Sequence, residues 1–358
     1  MSRLTPSLAT LFISGWTLFG QRGAEAQSCT LAGPPVEAAW SRSIATAPDV
    51  AAAPLRLVAD VPMPGTATRF DYQSLDPNSG RLYISHMNAG QLVVFDTRTQ
   101  RVLANLDGFP RVTGVLMVPA EGRAYASATG NHEVVVVEDS SLRIVAHVPG
   151  PTFPDGIAYA PDERRVFVSD ESGAREFVID ARTHRPITMI PLGGEAGNSQ
   201  YDAGSHCIIV AIQTLNQLAI IDPGSAQIVR RVTVADAVRH PHGIYIDAPH
   251  RMAFIAGEGS ASVGVLDLRT LQLTSVVPVG EDPDVLAFDP LLGRLYVAAE
   301  SGVVGVFAEE GTTLRALGSV TLPHAHTVSV DPVSHRVYLP LQNLDGKPVL
   351  RIMEGSRR

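Results

Sequence analysis

The sequence predicts an all-β fold built from seven copies of one unit, and three observations support this prediction. An apolar residue recurs in a similar segment at steps of 42, 42, 42, 45, 42 and 42 residues, at Tyr83, Tyr125, Phe167, Ile209, Phe254, Tyr296 and Tyr338. The segments are about five to seven residues long and alternate or run apolar, without a helical 3.6-residue stripe. Four such segments fit one unit, which is typical of a propeller blade. We therefore predict a seven-bladed β-propeller of four-stranded antiparallel blades.

The N-terminal region precedes the repeats and is predicted to contain two segments. Residues 1–26 combine Arg3, an apolar stretch at 8–19 and the small-x-small tripeptide that ends at Ala26. These features are typical of a cleaved signal peptide, and they predict a periplasmic or secreted protein. Residues 27–53 are rich in Ala and Pro, and we interpret them as a flexible lead-in to a single propeller domain at 54–358.

The closing strand of the ring is predicted at residues 55–61. This segment resembles the outer strands of other units, whereas the last unit supplies only three strands, at 326–331, 336–341 and 348–353. An open ring would leave strand edges unpaired. We therefore expect the N-terminal strand to complete the last blade.

Composition excludes several classes of protein. The chain has 358 residues, 45% of them hydrophobic, and a formal net charge of -8. This acidic balance argues against a nucleic-acid-binding protein, which needs a basic surface to contact the phosphate backbone. No apolar run reaches the roughly 18–20 residues that span a bilayer. Cys29 and Cys207 could pair in an oxidising compartment, but the first falls in the lead-in and the second in a strand, so we expect unpaired or loosely paired thiols. The chain is expected to be a monomer.

Two sets of equivalent positions carry the polar residues of interest. We call the recurring apolar residues, from Tyr83 to Tyr338, the phase residues of the repeat. The position 12 residues before each of them, at the start of the innermost strand, is Asp71, Thr113, Asp155, Gly197 (followed by Asn198), His242, Asp284 or His326. The position four residues after it, at the end of the second strand, is Met87, Thr129, Glu171, Gln213, Glu258, Glu300 or Gln342. Because the two strands are antiparallel neighbours, both sets are predicted to surround one mouth of the central tunnel.

The acids and histidines of these sets indicate a candidate cation site. We predict that His242, Asp284 and His326 are the ligands of one divalent cation, with Glu258 and Glu300 beside them. Oxygen ligands suit Ca²⁺, Mg²⁺ or Mn²⁺, and two imidazoles with an acid favour Zn²⁺, Fe²⁺ or Mn²⁺. Further ligand-binding positions are predicted at Asp71, Asp155, Glu171 and Asn198. The alternative is that these side chains are solvated, or that they join adjacent blades by hydrogen bonds.

Several repeat phrases resemble a known family. VVFDT at 93–97, DPNSGRLY at 76–83 and PDGIAY at 154–159 are similar to the YVTN-type propeller repeats, a WD40-like class common in secreted bacterial proteins. The resemblance covers about residues 55–353. It implies the propeller fold and leaves the activity open, because propellers serve binding, scaffolding and several enzyme chemistries.

Two functions remain as hypotheses from the sequence. The first is a binding or scaffolding module whose tunnel face takes a small ligand or a protein partner. The second is a metal-dependent hydrolase, lactonase or lyase, by analogy with gluconolactonase-like propellers, with Glu258 or Glu300 as the general base. A quinone-type redox cofactor would need a basic, aromatic cup, and the predicted mouth is acidic.

Overall fold

The computed structural model describes residues 1, 27–38, 54–234 and 236–355. Apart from Met1, the predicted signal peptide lies outside these residues. The described residues form seven antiparallel sheets, and the inner strands of successive sheets contact one another from the first to the last and back to the first. This closed ring confirms the predicted seven-bladed β-propeller. No helix in the described ranges is long and apolar enough to span a membrane.

The strands of the N-terminal half are arranged with the innermost strand first in each blade. Two strands precede the repeats, β1 (Val36–Glu37) and β2 (Leu55–Pro62). Blades 1 and 2 contain β3 (Gln73–Asp76), β4 (Arg81–His86), β5 (Gln91–Asp96), β6 (Arg101–Asp107), β7 (Val112–Val118), β8 (Arg123–Ala128), β9 (Glu133–Glu138) and β10 (Arg143–Pro149). Blades 3 and 4 contain β11 (Pro154–Ala160), β12 (Arg165–Asp170), β13 (Arg175–Asp180), β14 (Arg185–Pro191), β15 (Ala196–Asp202), β16 (Cys207–Ile212), β17 (Gln217–Asp222) and β18 (Gln227–Thr233).

The C-terminal half continues the same order up to the last blade. Blades 5 and 6 contain β19 (Pro241–Asp247), β20 (Met252–Gly257), β21 (Ser262–Asp267), β22 (Gln272–Pro278), β23 (Pro283–Asp289), β24 (Arg294–Ala299), β25 (Val303–Glu310) and β26 (Thr313–Thr321). Blade 7 contains β27 (Ser329–Asp331), β28 (Arg336–Leu344) and β29 (Lys347–Gly355). Short 3-10 helices follow second strands at Met87–Ala89, Thr129–Asn131, Gln213–Leu215 and Glu258–Ser260, and a further one, Pro119–Glu121, follows the innermost strand β7.

The ring closes through the N-terminal strand, as the sequence predicts. Strand β2 pairs antiparallel with β29 from Leu55 opposite Gly355 to Pro62 opposite Val349, so blade 7 has the order β2-β29-β28-β27. Leu55 is buried, and Arg351 contacts Asp60 through two hydrogen bonds of 2.8 Å. Blade 7 is therefore built from both ends of the described chain.

The two cysteines form a disulfide, so the expectation of unpaired thiols is wrong. Cys29 is bonded to Cys207 at the start of β16, across 178 residues of chain. The flanking backbone explains the pairing, because the Thr30 amide donates to the Ser205 carbonyl (2.9 Å). Further along, β1 adds to blade 4 as a parallel edge strand beside β18. Within the predicted lead-in, residues 27–38 are thus docked on blade 4, and 39–53 lie outside the described residues.

The core lies between blades and depends on the phase residues of the repeat. Tyr83, Tyr125, Phe167, Ile209, Phe254, Tyr296 and Tyr338 are all buried. Tyr125 of blade 2, for example, packs in one apolar cluster with Val166 and Phe177 of blade 3. Each such side chain removes apolar area from water only when its neighbouring blade is present. Closure of the ring is therefore a condition for burying both faces of every blade.

We expect the β2 strand to contribute more to stability than the N-terminal arm. A chain that begins at Pro54 loses the arm and its disulfide but keeps β2, whereas a chain that begins at Met63 also loses β2. The second chain exposes an edge of β29 and the apolar side of blade 7, so its melting temperature is expected to fall by a further 10 °C or so, about 5 kcal/mol at this chain length. Thermal unfolding followed by circular dichroism measures the difference, and equal melting of the two chains would contradict the assignment of β2 as the closing strand.

Candidate functional site

The polar mouth of the tunnel is formed where each inner strand begins beside the end of the second strand. Pro154 pairs with Asp170, Pro241 with Gly257, and Pro283 with Ala299. The next residue along each strand is the polar one that the repeat arithmetic selects. Asp155, His242 and Asp284 thus adjoin Glu171, Glu258 and Glu300 within their own blades.

Glycines let the inner strands approach one another closely enough to bring different blades together. A Cβ atom on Gly243 would lie 1.9 Å from the carbonyl oxygen of Asp284, and one on Gly114 would lie 1.8 Å from that of Asp155. Neither contact is possible for a residue with a side chain. Glycine therefore follows the polar residue at places where the adjacent inner strand contacts the backbone. This close approach brings the polar side chains of neighbouring blades together.

Asp284 is the central carboxylate of the mouth. Its Oδ1 lies 3.3 Å from Nε2 of His242, which comes from the preceding blade. The other ring nitrogen of His242 lies 3.6 Å from Oε1 of Glu258, and Oε2 of Glu258 is 3.0 Å from Nδ1 of His240. Asp284 and His242 are buried, at 5% and 8% exposure, whereas Glu258 is partly exposed at the rim.

Residues of blades 7 and 1 approach Asp284 from the other side. Nε2 of His326 lies 3.9 Å from Oδ1 of Asp71, and ligand atoms of Asp71, Asp284 and His326 all lie within 4.8 Å of one another. Arg69 extends over this group, with Nη2 at 2.7 Å from Oε1 of Glu300 and Nε at 4.0 Å from Oδ2 of Asp71. Glu300 is thereby paired with a guanidinium at the exposed rim.

Tyr72 crosses the mouth and was missed by the sequence analysis. Its hydroxyl lies 3.1 Å from Nε2 of His242 in blade 5 and 3.4 Å from Oδ2 of Asp155 in blade 3, although Tyr72 belongs to blade 1. Three non-adjacent blades meet at this one hydroxyl group, so it lies close to the axis. The repeat did indicate that Tyr72 is unusual, because the equivalent position in the other blades is Gly, Asn, Val or Thr. Arg69 was also missed, since it lies outside both sets of equivalent positions.

Burial and mutual repulsion set the ionisation of these groups. Burial raises the pKa of the Asp155 carboxyl, and His242 opposes that shift only in part. Burial would lower the pKa of His242, but Asp284, Glu258 and Asp155 outweigh it and raise the pKa above the usual range. Burial, with the surrounding carboxylates, also raises the pKa of the Tyr72 phenol well above its ordinary value. Tyr72 therefore keeps its proton, accepts a hydrogen bond from the imidazolium of His242 and donates one to Asp155.

The carboxylate Asp284 is held in its charged form. Burial acts to raise its pKa, but His242, His326 and Arg69 together lower the pKa below the usual range. The pKa of His326 is raised by Asp71 and Asp284 against the effect of burial. Among the described residues, the mouth collects six carboxylates against Arg69 and two histidines: Asp71, Asp155, Glu171, Glu258, Asp284 and Glu300. If all six were ionised, three negative charges would remain uncompensated even with both imidazoles protonated, and the raised pKa of Asp155 reflects burial together with this excess.

Three buried atoms at the mouth have no hydrogen-bond partner within the described part of the chain. They are Nδ1 of His242, Nε2 of His326 and Oδ1 of Asp284, which has an ion-pair contact of 3.3 Å with His242 but no hydrogen bond. Buried polar atoms are almost always hydrogen-bonded, and a native exception calls for an explanation such as an ion. Imidazole nitrogens and carboxylate oxygens are the usual ligands of Mn²⁺, Zn²⁺ and Fe²⁺. The donor set therefore fits a divalent cation.

Other residues of the two predicted sets have structural contacts instead. Thr113 and Thr129 both donate to the carbonyl of Pro154 (2.8 and 2.7 Å), and Gln213 donates to the carbonyl of Ala196 (2.9 Å). These three side chains tie inner strands in place, which is the role that the alternative interpretation gave to the whole set. Asn198 lies deeper and lines the tunnel.

The tunnel below the mouth is small and has a mixed polar and apolar lining. Its cavity measures about 230 Å³ and is lined by Tyr72, Val115, Ile157, Ile244, Leu286 and Val328, with the polar side chains of Gln73, Asn198 and Gln200 between them. A volume of this size admits a few water molecules or a small ligand, so larger partners are restricted to the mouth and rim.

A further cluster at Asp247, His250 and Glu309 occupies the opposite ends of the inner strands. Nδ1 of His250 lies 2.7 Å from Oδ2 of Asp247 and 3.1 Å from Oε2 of Glu309, and the imidazole is exposed. Contacts of the same kind join other neighbouring blades, including Arg251 to Asp202 and His335 to Asp289. We therefore assign this cluster to blade-to-blade attachment.

Comparison with known proteins supports the fold alone. No protein-family model matches the chain, and no curated protein matches it. Among solved structures, a chain of the hydrazine synthase of Kuenenia stuttgartiensis superposes with a TM-score of 0.67 and 14% identity, and the match covers 78% of this chain and 94% of that one. The fold and the mouth together define a seven-bladed β-propeller with a buried His/carboxylate cluster on its axis.

A buried acid away from the mouth, Glu176 in β13, forms a side-chain hydrogen bond with the neighbouring blade. The Ser199 hydroxyl donates to its Oε1 (2.8 Å), and its Oε2 has no partner among the described residues. Burial raises the pKa of Glu176 to about 8, and Asp170 adds to this shift. In the unfolded chain the same carboxyl titrates near 4.5. The unfolded state therefore binds fewer protons between pH 4.5 and 8, and this group makes the fold less stable as the pH rises through that window.

Replacement of Glu176 by Gln is expected to remove this pH-dependent penalty. Glu176→Gln can still accept from Ser199 and carries no charge at any pH. Its melting temperature should match the wild type near pH 5 and exceed it by several degrees at pH 8.5. Scanning calorimetry at the two pH values measures this, with the exposed Glu281→Gln as a control that changes neither value. A constant difference across pH would show that Glu176 is not protonated in the folded protein.

Proposed function

We propose that this propeller is a binding module whose ligand site is the mouth of the tunnel, and that the mouth holds a divalent cation through Asp284. The observation that carries the proposal is the set of unpartnered buried atoms on Asp284, His242 and His326, in which Asp284 forms a candidate ligand group with each histidine. A divalent cation bound through Asp284 would give this carboxylate and an adjacent imidazole a partner. It would also offset the uncompensated carboxylates, which are costly to bury alone.

The cation would determine what the mouth can bind. Without it, the mouth presents carboxylates and repels anions. With it, the mouth offers a Lewis-acidic centre to an oxygen donor of a ligand, beside the Tyr72 hydroxyl and the Arg69 guanidinium. The rim formed by Glu258 and Glu300 is exposed enough to contact such a ligand directly. A protein partner would reach the site only through a protruding segment, because the mouth is narrow.

The geometry favours the binding module over the metal-dependent hydrolase or lyase. That alternative needs a general base that is free to take a proton from water or substrate. Glu300 is occupied by Arg69 at 2.7 Å, and Glu258 belongs to a candidate ligand group with His242 and Asp284. The residues predicted as bases are thus engaged as ion-pair partner and candidate ligand.

We also propose that the chain is an exported member of the YVTN-type repeat class. The repeat phrases support the class, and the Cys29–Cys207 disulfide supports export, because structural disulfides persist in oxidising compartments. Cys29 lies three residues after the predicted cleavage point, Ala26. Export and removal of residues 1–26 would therefore leave the arm free to dock on blade 4.

Cation binding is expected to raise the thermal stability of the protein. At a hundredfold excess over the dissociation constant, Mn²⁺ or Zn²⁺ should stabilise the fold by about 2.7 kcal/mol, or about 5 °C. The measurement is a thermal melt of the mature chain with each metal and with chelator. Asp284→Asn should abolish the increase while itself folding, since the amide keeps the size and the hydrogen-bonding capacity of the side chain. Asp282→Asn makes the same change two residues away at an exposed position and should respond as the wild type does.

One result of these melts would contradict the proposed function. If Mn²⁺, Zn²⁺, Ca²⁺ and Mg²⁺ all leave the melt unchanged, and none is retained after dialysis, the mouth is a hydrogen-bonded lining and the proposed function is wrong.

Export predicts a defined N-terminus and redox state. When the full chain is produced with its own leader, the mature protein should begin at Gln27 and contain no free thiol. Production without residues 2–26 in a reducing cytoplasm should leave Cys29 and Cys207 reduced. Intact mass and N-terminal sequencing measure both properties, and a soluble product that retains Met1 after expression with the leader would contradict export.

A further inference from the structure

The carboxylate of Asp284 belongs to two candidate ligand triads at once. We propose that the mouth holds two adjacent divalent cations, with Asp284 as the ligand shared between them. This inference rests on the proposed function, because it requires that the mouth bind a cation at all. It replaces the single set His242, Asp284 and His326 with two sets of three.

The first triad consists of Asp71, Asp284 and His326. Its ligand atoms all lie within 4.8 Å of one another, and all three residues are buried. Two ligands of one ion at 2.0–2.4 Å can be at most about 4.8 Å apart, so the three atoms can share one ion. Nε2 of His326 is buried without a partner in the described chain, and its side chain is only 4% exposed.

The second triad consists of His242, Glu258 and Asp284. Its ligand atoms satisfy the same 4.8 Å limit, and Nδ1 of His242 lies 3.6 Å from Oε1 of Glu258. This nitrogen too is buried and has no hydrogen-bond partner within the described ranges. Each triad therefore contains a histidine that has an unpartnered ring nitrogen.

A single cation leaves one of these nitrogens unexplained. Neither triad of described residues contains both histidines, so an ion bound by His326 and Asp71 does not reach the partnerless atom of His242. Charge leads to the same conclusion. Histidines that ligate a metal are neutral, so the six carboxyl groups, when all are ionised, would face only Arg69, and one divalent cation would leave three negative charges uncompensated. A second cation reduces that excess to one.

The ligand types indicate which ions fit. Each triad offers one imidazole and two carboxylates, a set that suits Mn²⁺, Fe²⁺ or Zn²⁺ better than Ca²⁺ or Mg²⁺, which prefer oxygen alone. Pairs of cations held about 3.5–4 Å apart are a common way to bind an oxygen atom of a ligand from both sides. The proposed centre would accordingly take a ligand that carries a phosphate or carboxylate group.

The test is the stoichiometry and magnetic coupling of bound Mn²⁺ in the mature chain. Elemental analysis after dialysis should give two Mn²⁺ per chain, and the electron paramagnetic resonance spectrum should be that of a coupled pair. His326→Ala and Glu258→Gln each remove a ligand from one triad only, so each should retain one uncoupled Mn²⁺ with a six-line spectrum. Glu281→Gln changes an exposed acid that belongs neither to the triads nor to the six mouth carboxylates, and it should retain the coupled pair. The same stoichiometries are expected with Zn²⁺.

The outcomes separate this inference from the proposed function. One Mn²⁺ or Zn²⁺ per wild-type chain, without coupling, overturns the shared-ligand pair and leaves the cation-binding module standing. Loss of all metal in both His326→Ala and Glu258→Gln also overturns it, because a single ion would then depend on both groups. No retained metal of either kind overturns the proposed function and this inference together.

Discussion

Closure of the ring by β2 is the interaction on which the rest of the structure depends. A single blade cannot bury its two faces, and every phase residue of the repeat is buried only because the next blade covers it. The β2–β29 pairing supplies the last of these contacts and fixes the inner strands around one axis. The geometry of the mouth depends on this closure, since Asp71 of blade 1 and His326 of blade 7 are brought together only when the ring is closed.

The mouth is the place where the repeats stop being equivalent. Elsewhere the blades share apolar phase residues and similar turns, so their differences are small. At the start of the inner strands the seven blades supply different groups, and the close approach allowed by Gly114 and Gly243 forces those groups into contact. Buried carboxylates that repel one another and imidazole nitrogens without partners are unfavourable for folding. Because these groups reduce the stability of the fold, the bound cation that we propose is a better explanation for their presence on the axis than a structural role.

The N-terminal arm and the blade-to-blade contacts show how the ring is reinforced at its periphery. The Cys29–Cys207 disulfide anchors the arm to blade 4, while β2 anchors the chain to blade 7, so the N-terminal region is attached to two distant parts of the ring. Ion pairs such as Arg251 with Asp202 join adjacent blades on the face opposite the mouth. These contacts keep the inner strands in register, and the positions of the mouth residues depend on that register.

The sequence by itself determined the number of blades, the strands within each blade, the closing role of β2 and the equivalence of the mouth positions. All of these follow from periodicity, which a linear chain records directly. Only the tertiary structure decided which side chains meet. Tyr72 reaches blades 3 and 5, Arg69 pairs with Glu300, and Cys29 finds Cys207, because those contacts depend on side-chain length and on the angle at which strands converge. Repeat spacing gives the height of a residue along the axis, whereas the direction of its side chain around that axis is set by packing against the neighbouring blades.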